Sequence, residues 1–289
     1  MAKTILITGA NGQLGTELQL LLKERELDYE VLATDVDTLD LTDAGAVDRC
    51  FDERTIDFVV NCAAFTAVDR AESAADLCRR VNVDAPANLA RAAARVGARM
   101  VHISTDYVFD GSANVPYRES DTPAPVTVYG ATKLEGERQV MALCPEAVIL
   151  RTAWLYSPHG KNFVKTMLKL GRERDSLRVV VDQVGTPTSA TDLAGAILTI
   201  IGSDRWTPGI YHFSDEGAVS WYDFAVAALR LAGIHTPVAP CLTDEFPTPA
   251  RRPHYSVLDK SLIKATYALT IPHWHTSLTH VIARLQPQQ

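Results

Sequence analysis

The feature that most constrains the fold is an alternation of short apolar runs with longer amphipathic ones through the first half of the 289-residue chain. The apolar runs, rich in β-branched residues, are TILITG, EVLATD, DFVVNCAA, RMVHIST and AVILRT. Segments with helical periodicity, such as GTELQLLLKEREL and TKLEGERQVMALC, lie between them. Because strands that alternate with helices connect through right-handed crossovers, the pattern predicts a Rossmann-type α/β fold, with a doubly wound parallel sheet covered on both faces.

In the second half of the chain the alternation of apolar and amphipathic segments is less regular. From about Trp154 onward, prolines become frequent, as in VGTPTSATD and TPVAPCLTDEFPTPARRP. We expect residues 1–153 to form the Rossmann domain and residues 154–289 to form mainly a smaller lobe, with some elements returning to the first domain. Ligands of open α/β sheets bind at the carboxyl ends of the strands, so the functional site is expected there.

Composition excludes several classes of partner. Lys and Arg (28) against Asp and Glu (35) give a net charge of −7, which is unsuited to a broad nucleic-acid surface. The N-terminal apolar run is too short for a signal peptide or a membrane span. The five cysteines are scattered without a CxxC pair, which suits a reducing cytoplasm. The histidines show no metal-like spacing, so no metal site is predicted. A divalent cation at an oligomer interface and a homodimer both remain open.

A glycine-rich loop follows the first predicted strand. TGANGQLG places Gly9, Gly12 and Gly15 at the start of a helix, where glycine permits a tight turn and close approach of a pyrophosphate to the helix N-terminus. The spacing is GxxGxxG rather than GxGxxG, and a purely structural turn would also explain the loop. Within a strand-helix unit it indicates a dinucleotide cofactor, and the residues expected to hold it are Gly9, Asn11, Gly12, Gln13, Leu14 and Gly15.

Asp35 ends the second predicted strand. A carboxylate there can accept hydrogen bonds from the adenosine ribose and would repel a 2′-phosphate, which favours NADH over NADPH. A solvated turn aspartate is the competing explanation. Other cofactor candidates follow the second and third strands, where packing or turn formation would explain them equally well: Asp40, Leu41, Ala63, Ala64 and Phe65.

A tyrosine and a lysine lie four residues apart in VYGATKLEGE. Tyr129 and Lys133 therefore share one helix face and can point into one cleft. A nearby lysine cation stabilises a phenolate and lowers the tyrosine pKa from about 10, which suits protonation of a carbonyl oxygen during reduction. Ser104, Thr105 and Asp106 end the fourth predicted strand, where a hydroxyl can hold that oxygen. The competing explanation is an exposed Tyr/Lys pair on a surface helix.

These residues belong to an ordered set of motifs that covers nearly the whole chain. The set comprises TGANGQLGTEL, VVNCAAFTAVDRAE, ISTDYVFDG, YGATKLEGE, LRTAWLYS, VVVDQVGTPTSATDLA, GIYHFSD and RRPHYSVLDKSLI. It resembles the extended short-chain dehydrogenase/reductases that act on nucleotide sugars, and within them the dTDP-4-dehydrorhamnose reductase family. The resemblance implies an NAD(P)-binding domain and a substrate-binding lobe. It also implies NADH- or NADPH-dependent reduction of the 4-keto group of dTDP-4-dehydro-6-deoxy-L-mannose to dTDP-L-rhamnose.

The resemblance also assigns roles to individual residues. Tyr129 would be the proton donor, Lys133 would lower its pKa and hold the nicotinamide ribose, and Thr105 would hydrogen-bond to the 4-keto oxygen. The implied substrate-side residues are Asp106, Trp154 and Arg252. A core aromatic residue at the domain boundary is the competing explanation for Trp154, and a solvated arginine is that for Arg252.

One departure from the superfamily pattern bears on reaction type. Nucleotide-sugar dehydratases of the superfamily carry a glutamate two residues after the threonine, whereas this chain has Tyr107 there. A dehydratase is therefore disfavoured. Another nucleotide-sugar ketoreductase or an epimerase remains open, as does a non-catalytic nucleotide-sugar-binding subunit. The intact set of Thr105, Tyr129 and Lys133 argues against the last of these.

Overall fold

The computed structural model describes residues 2–286 and is built around a six-stranded parallel sheet. The strands are β1 (Lys3–Thr8), β2 (Tyr29–Thr34), β3 (Phe58–Asn61), β4 (Arg99–Thr105), β5 (Val148–Thr152), β6 (Leu155–Tyr156), β7 (Leu177–Val180), β8 (Val184–Gly185), β9 (Thr188–Ser189), β10 (Gly209–His212), β11 (Val219–Ser220) and β12 (Val238–Cys241). The order in the main sheet is β2-β1-β3-β4-β5-β10, and each neighbouring pair is parallel.

Helices follow most strands of the main sheet. They are α1 (Gln13–Glu24), α2 (Ala44–Glu53), α3 (Val68–Ala71), α4 (Ala75–Arg79), α5 (Ala85–Val96), α6 (Val128–Leu143), α7 (Phe163–Glu173), α8 (Ala190–Gly202), α9 (Trp221–Leu231), α10 (Ser261–Tyr267) and α11 (Trp274–Leu285). A π-helical turn, Arg80–Asp84, joins α4 to α5. Within the described residues, no helix combines the length and apolar character that crossing a membrane requires.

The strand order places a switch point beside β1. The chain leaves β1 to form β2 on one side and then crosses to β3 on the other, so the loops after β1 and β3 diverge and leave a crevice between them. Residues 35–43 form turns that lead directly from β2 into α2. This route brings the segment after β2 to the same edge of the sheet. The predicted doubly wound parallel sheet is confirmed.

The alternation of side chains along β1 explains why its sequence is continuously apolar. Ile5 and Ile7 are buried in the cluster formed with α1 and α8, whereas Leu6 is buried in the cluster formed with α2 and α5. A strand covered on both faces has no solvent-facing side, so apolar residues are required at successive positions. Helices on the two faces thereby hold the strand ends in place around the crevice.

A smaller hydrophobic core lies beyond β5. It is formed by α7, α9 and α11 together with β7, and includes Val164, Phe224 and Leu278. In contrast, α8 packs on α1, and β10 extends the main sheet beside β5. These contacts support the division expected from the sequence. We propose that residues 1–153 form the Rossmann domain and that residues 154–289 form mainly the second lobe, with α8 and β10 returned to the first.

The first turn of α1 depends on close packing against the glycine loop. A Cβ on Gly15 would lie 2.5 Å from the Gly9 carbonyl oxygen and 2.6 Å from Ala10 Cα. We therefore expect Gly15→Ala to lower the free energy of unfolding by about 1–3 kcal/mol, despite the better helix propensity of alanine. Gly202→Ala is the matched control, because no described atom outside its immediate chain surroundings lies within 4 Å of its added Cβ. Urea denaturation measures both, and equal stability of the two variants would contradict the packing argument.

Candidate active site

One cleft runs along the carboxyl edge of the parallel sheet. Its volume is about 900 Å³, and the loops that follow β1 to β5 contribute to its walls. Many residues singled out from the sequence line it: Gly9, Gly12, Gln13, Leu14, Asp35, Asp40, Leu41, Ala63, Ala64, Thr105, Asp106, Tyr129, Lys133 and Trp154. The cleft is large enough for an extended ligand that spans both lobes.

The glycine loop fits a pyrophosphate. Gly9 has a φ of +63°, and its added Cβ would lie 2.8 Å from the backbone of Ala63. Gly12 stands at the N-cap of α1 without a side chain, so the first backbone N–H groups of the helix are left for an anion. Asn11 and Gly15 are not among the residues that line the cleft in the described part of the chain. The backbone N–H of Asn11 instead donates to Asp35 Oδ2 over 3.0 Å.

The segment after β2 provides carboxylates at one end of the cleft. Asp35 accepts from the N–H groups of Asn11 and, over 2.8 Å, Val36, which fix its orientation. Hydrogen bonds from the Thr42 hydroxyl and backbone lower the pKa of Asp40, and the Arg80 cation has a smaller effect in the same direction. These groups fit the adenosine half of a dinucleotide. Arg80, which also lines the cleft, was not identified from the sequence.

Helix α6 brings Tyr129 and Lys133 into the cleft. It begins at Val128, where the Thr127 hydroxyl caps it by accepting from the Gly130 N–H over 3.0 Å. Both side chains are buried, with exposed fractions of 9% for Tyr129 and 2% for Lys133. The Lys133 ammonium donates to the Ile103 carbonyl oxygen over 2.6 Å, which ties α6 to β4.

Burial controls the protonation of this pair. It raises the pKa of Tyr129, and the hydroxyl of Thr105 opposes the rise to a lesser extent. The pKa of Tyr129 therefore lies above its ordinary value rather than below it as the sequence predicted, because desolvation of the phenolate outweighs stabilisation by a nearby cation. Burial also lowers the pKa of Lys133 to about 8, against the opposing charge of Glu137. At neutral pH the tyrosine is a neutral phenol and the lysine is mostly charged.

A buried ion pair beneath Lys133 was missed by the sequence analysis. Arg151 donates to Glu137 through two nitrogens, over 2.9 and 2.7 Å, and both side chains are 2% exposed. The Ser104 hydroxyl donates to the same carboxylate over 2.5 Å. Glu137 lies one helical turn beyond Lys133, so extending the Tyr129–Lys133 spacing by four residues would have identified it.

Thr105 ends β4, Asp106 follows it directly, and both are buried. The Thr105 hydroxyl donates to Asp106 Oδ1 over 3.0 Å and accepts from the Tyr107 N–H over 3.2 Å. Burial raises the pKa of Asp106 to about 6, and hydroxyl groups of Ser256 and Thr105 oppose this rise. The arrangement presents a threonine hydroxyl and a carboxyl group on the side of the cleft that carries Tyr129.

Two other predicted site residues make contacts away from the lining of the cleft in the described part of the chain. Phe65 exchanges two backbone hydrogen bonds with the Asn82 side chain, over 2.8 and 3.2 Å. The guanidinium of Arg252 donates to both carboxylate oxygens of Asp69, over 3.0 and 2.7 Å. Among residues 2–286, no group of three or more His, Cys, Asp or Glu side chains is arranged to hold a metal ion.

The second lobe adds an aromatic wall. Trp154 and Trp221 both line the cleft and stack with their ring centroids 3.4 Å apart and an interplanar angle of 7°. Trp221, at the start of α9, was not identified from the sequence, since no local pattern relates it to residues near β5.

The switch-point cleft, the glycine turn and the Thr105, Tyr129 and Lys133 set together define the class of extended short-chain dehydrogenase/reductases. The sequence profile described as the RmlD substrate binding domain matches residues 3–287, and the chain belongs to that family. The resemblance noted from the sequence is thereby confirmed.

Individual relatives extend this result over nearly the full chain. A dTDP-4-dehydrorhamnose reductase from Aggregatibacter actinomycetemcomitans is 41% identical, over 96% of this chain and 98% of its own. The solved structure of a dTDP-4-dehydrorhamnose reductase from Clostridium acetobutylicum ATCC 824 is 52% identical, with a TM-score of 0.95 over 98% of this chain and 99% of that one. The enzyme of the same name from Bacillus anthracis strain Ames, solved in complex with NADP, is 39% identical, with a TM-score of 0.94 over 98% of this chain and 100% of that one.

Proposed function

We propose that this protein reduces the 4-keto group of dTDP-4-dehydrorhamnose to give dTDP-L-rhamnose, with NADH or NADPH as the reductant. The observation that carries the proposal is the meeting of Thr105, Tyr129 and Lys133 with the glycine loop in one cleft, in a chain whose full-length relatives bear the name of this reductase. We further propose that it acts in the cytoplasm, where its five cysteines remain as thiols.

The residues of the chain divide the cleft between cofactor and substrate. The glycine loop and the N-terminus of α1 would hold the pyrophosphate, Asp35 the adenosine ribose, and Ala63 with Ala64 the nicotinamide half. When bound, the dinucleotide supplies the hydride that the carbonyl carbon accepts. Asp106 and Trp154, which also line the cleft, would contact the sugar.

The proton for the carbonyl oxygen comes from Tyr129 in this proposal. The phenol is protonated at neutral pH and can donate, but its raised pKa makes it a weaker acid, so proton transfer requires stabilisation of the phenolate as it forms. The Thr105 hydroxyl would hold the same oxygen. After the O–H bond of Tyr129 breaks, the charged Lys133 stabilises the phenolate, and the newly formed alcohol carries the proton.

Tyr129→Phe tests this assignment. We expect kcat to fall by at least about a hundredfold, since the proton donor is lost, while the affinity for NADH is retained. Oxidation of NADH and NADPH would be followed with dTDP-4-keto-6-deoxyglucose and a 3,5-epimerase, which together supply the substrate. Tyr222→Phe, outside the cleft lining, is the matched control.

Full activity of Tyr129→Phe would exclude acid catalysis by this residue. Failure of the unaltered protein to turn over would exclude the function, and tightly retained NAD+ would favour an epimerase.

The charge of Lys133 predicts how kcat/KM changes with pH on the alkaline side. Its pKa of about 8 means that the ammonium is present below this pH and is lost as the pH rises through it, so kcat/KM should fall on the alkaline side. Because Glu137 raises that pKa, Glu137→Gln should move the fall to lower pH. Profiles of kcat/KM against pH measure both. Glu135→Gln on the same helix is the control, and an identical profile for the two variants would contradict the coupling.

Asp35 supports a preference for NADH. Its carboxylate would accept from the ribose hydroxyls and repel a 2′-phosphate, so Asp35→Asn should shift the ratio of NADPH to NADH affinity towards NADPH by about tenfold, or about 1.4 kcal/mol. Dissociation constants from fluorescence titration measure this without turnover. Asp37→Asn is the control, because Asp37 is exposed outside the cleft lining. An unchanged ratio in Asp35→Asn would remove the basis for the preference.

A further inference from the structure

Trp154 has an unusual backbone conformation for a large side chain. Its φ is +48°, in the left-handed region that is unfavourable for residues with a Cβ. The residue follows β5 by two positions, and its carbonyl oxygen accepts from the Thr188 N–H over 3.3 Å. A strained backbone persists only where surrounding contacts hold it, and such sites concentrate at ligand-binding positions.

Two contacts hold the Trp154 indole. Trp221 stacks on it at a centroid separation of 3.4 Å. Gly185 permits close approach at another edge, because an added Cβ there would lie 2.7 Å from Trp154 Cε2 and 2.8 Å from Cζ2. The indole is therefore confined by Trp221 and Gly185, which belong to two separate segments of the second lobe. A change in the size or position of either residue would alter the position of the indole.

The position of Trp221 is itself set by the core of that lobe. It is the first residue of α9, whose N-cap Ser220 accepts from the Asp223 N–H over 3.0 Å. Phe163 packs on the Trp221 ring with a centroid separation of 4.5 Å, and Phe224 lies at 6.3 Å. The aromatic core of the second lobe thus fixes the indole of Trp221, and Trp221 in turn fixes the indole of Trp154 at the cleft.

We propose that Trp221 is a positioning residue that holds Trp154 in its left-handed conformation, so that the Trp154 indole forms a rigid wall for the pyranosyl ring of a nucleotide sugar. The inference rests on the proposed function for the identity of the ligand. A pyranosyl ring presents C–H groups on its faces, which pack on an aromatic surface, and a preformed wall avoids the entropy of ordering it on binding.

Three variants test the coupling: Trp221→Leu, Trp154→Leu and the double variant. Calorimetry with dTDP-L-rhamnose gives the dissociation constant without turnover, and steady-state assays give KM and kcat. We expect Trp221→Leu to raise the dissociation constant and KM about tenfold, with NADH affinity unchanged within about twofold. The double variant should be no weaker than Trp154→Leu alone, because Trp221 acts through Trp154. Trp221→Phe should recover part of the loss.

Trp274→Leu is the control for general destabilisation of the lobe, because it removes an aromatic residue that packs on Phe224 at 5.9 Å but does not line the cleft in the described part of the chain. We expect Trp274→Leu to keep the wild-type dissociation constant for dTDP-L-rhamnose, whereas Trp221→Leu raises it. Gly185→Ala should also weaken sugar binding, since its Cβ displaces Trp154 while Trp221 remains.

The outcomes separate this inference from the proposed function. An inactive wild-type protein that also fails to bind dTDP-L-rhamnose overturns the function and the identity of the ligand together. An active wild-type protein with an unchanged dissociation constant in Trp221→Leu overturns the positioning role alone. Additive losses in the double variant overturn it as well, because they would mean that Trp221 contacts the sugar independently.

Discussion

The buried ion pair between Glu137 and Arg151 is the interaction on which the site depends. Removing two charges from water costs several kcal/mol for each, and only well-aligned hydrogen bonds offset that cost. Here the guanidinium binds the carboxylate through two nitrogens, and Ser104 donates to it as well. The pair joins α6 to β5, and Ser104 adds β4. Since Lys133 lies one turn before Glu137, the position of the face of α6 that carries Tyr129 and Lys133 follows from this pairing.

Glycine lets α6 lie close enough for these contacts. A Cβ at Gly130 would lie 2.1 Å from the Tyr107 carbonyl oxygen, and one at Gly136 would lie 2.1 Å from that of Asn82. Main-chain atoms of neighbouring segments therefore contact α6 both before and after Lys133. Main-chain atoms cannot move aside as the end of a flexible side chain could. Main-chain contacts fix the distance between α6 and its neighbours. The ion pair fixes the position of α6 along the direction of β5. Together they leave Lys133 little freedom to move.

The parts of the molecule that follow from local pattern were predicted, and those that follow from long-range contacts were not. Strand-helix order, the glycine turn and the shared face of Tyr129 and Lys133 depend on residues near one another in the sequence. The stack of Trp221 on Trp154 joins segments 67 positions apart by number, and the pairing of Arg252 with Asp69 spans 183. The direction of the Tyr129 pKa shift also escaped spacing arguments, because it depends on how deeply the folded chain buries the phenol.

Strand β5 links the two halves of the site. It carries Arg151, which binds α6, and it leads through the buried Ala153 to Trp154 at the edge of the second lobe. Three residues of extended chain span only about 10 Å, so the residue that anchors α6 and the indole of Trp154 lie on one short connection. A displacement of the second lobe that moved Trp154 would also displace β5, which the buried ion pair between Arg151 and Glu137 anchors to α6. The same strand therefore fixes the position of the Trp154 indole relative to the Tyr129 phenol, which are the groups proposed to pack on the sugar and to protonate it, although they belong to different lobes.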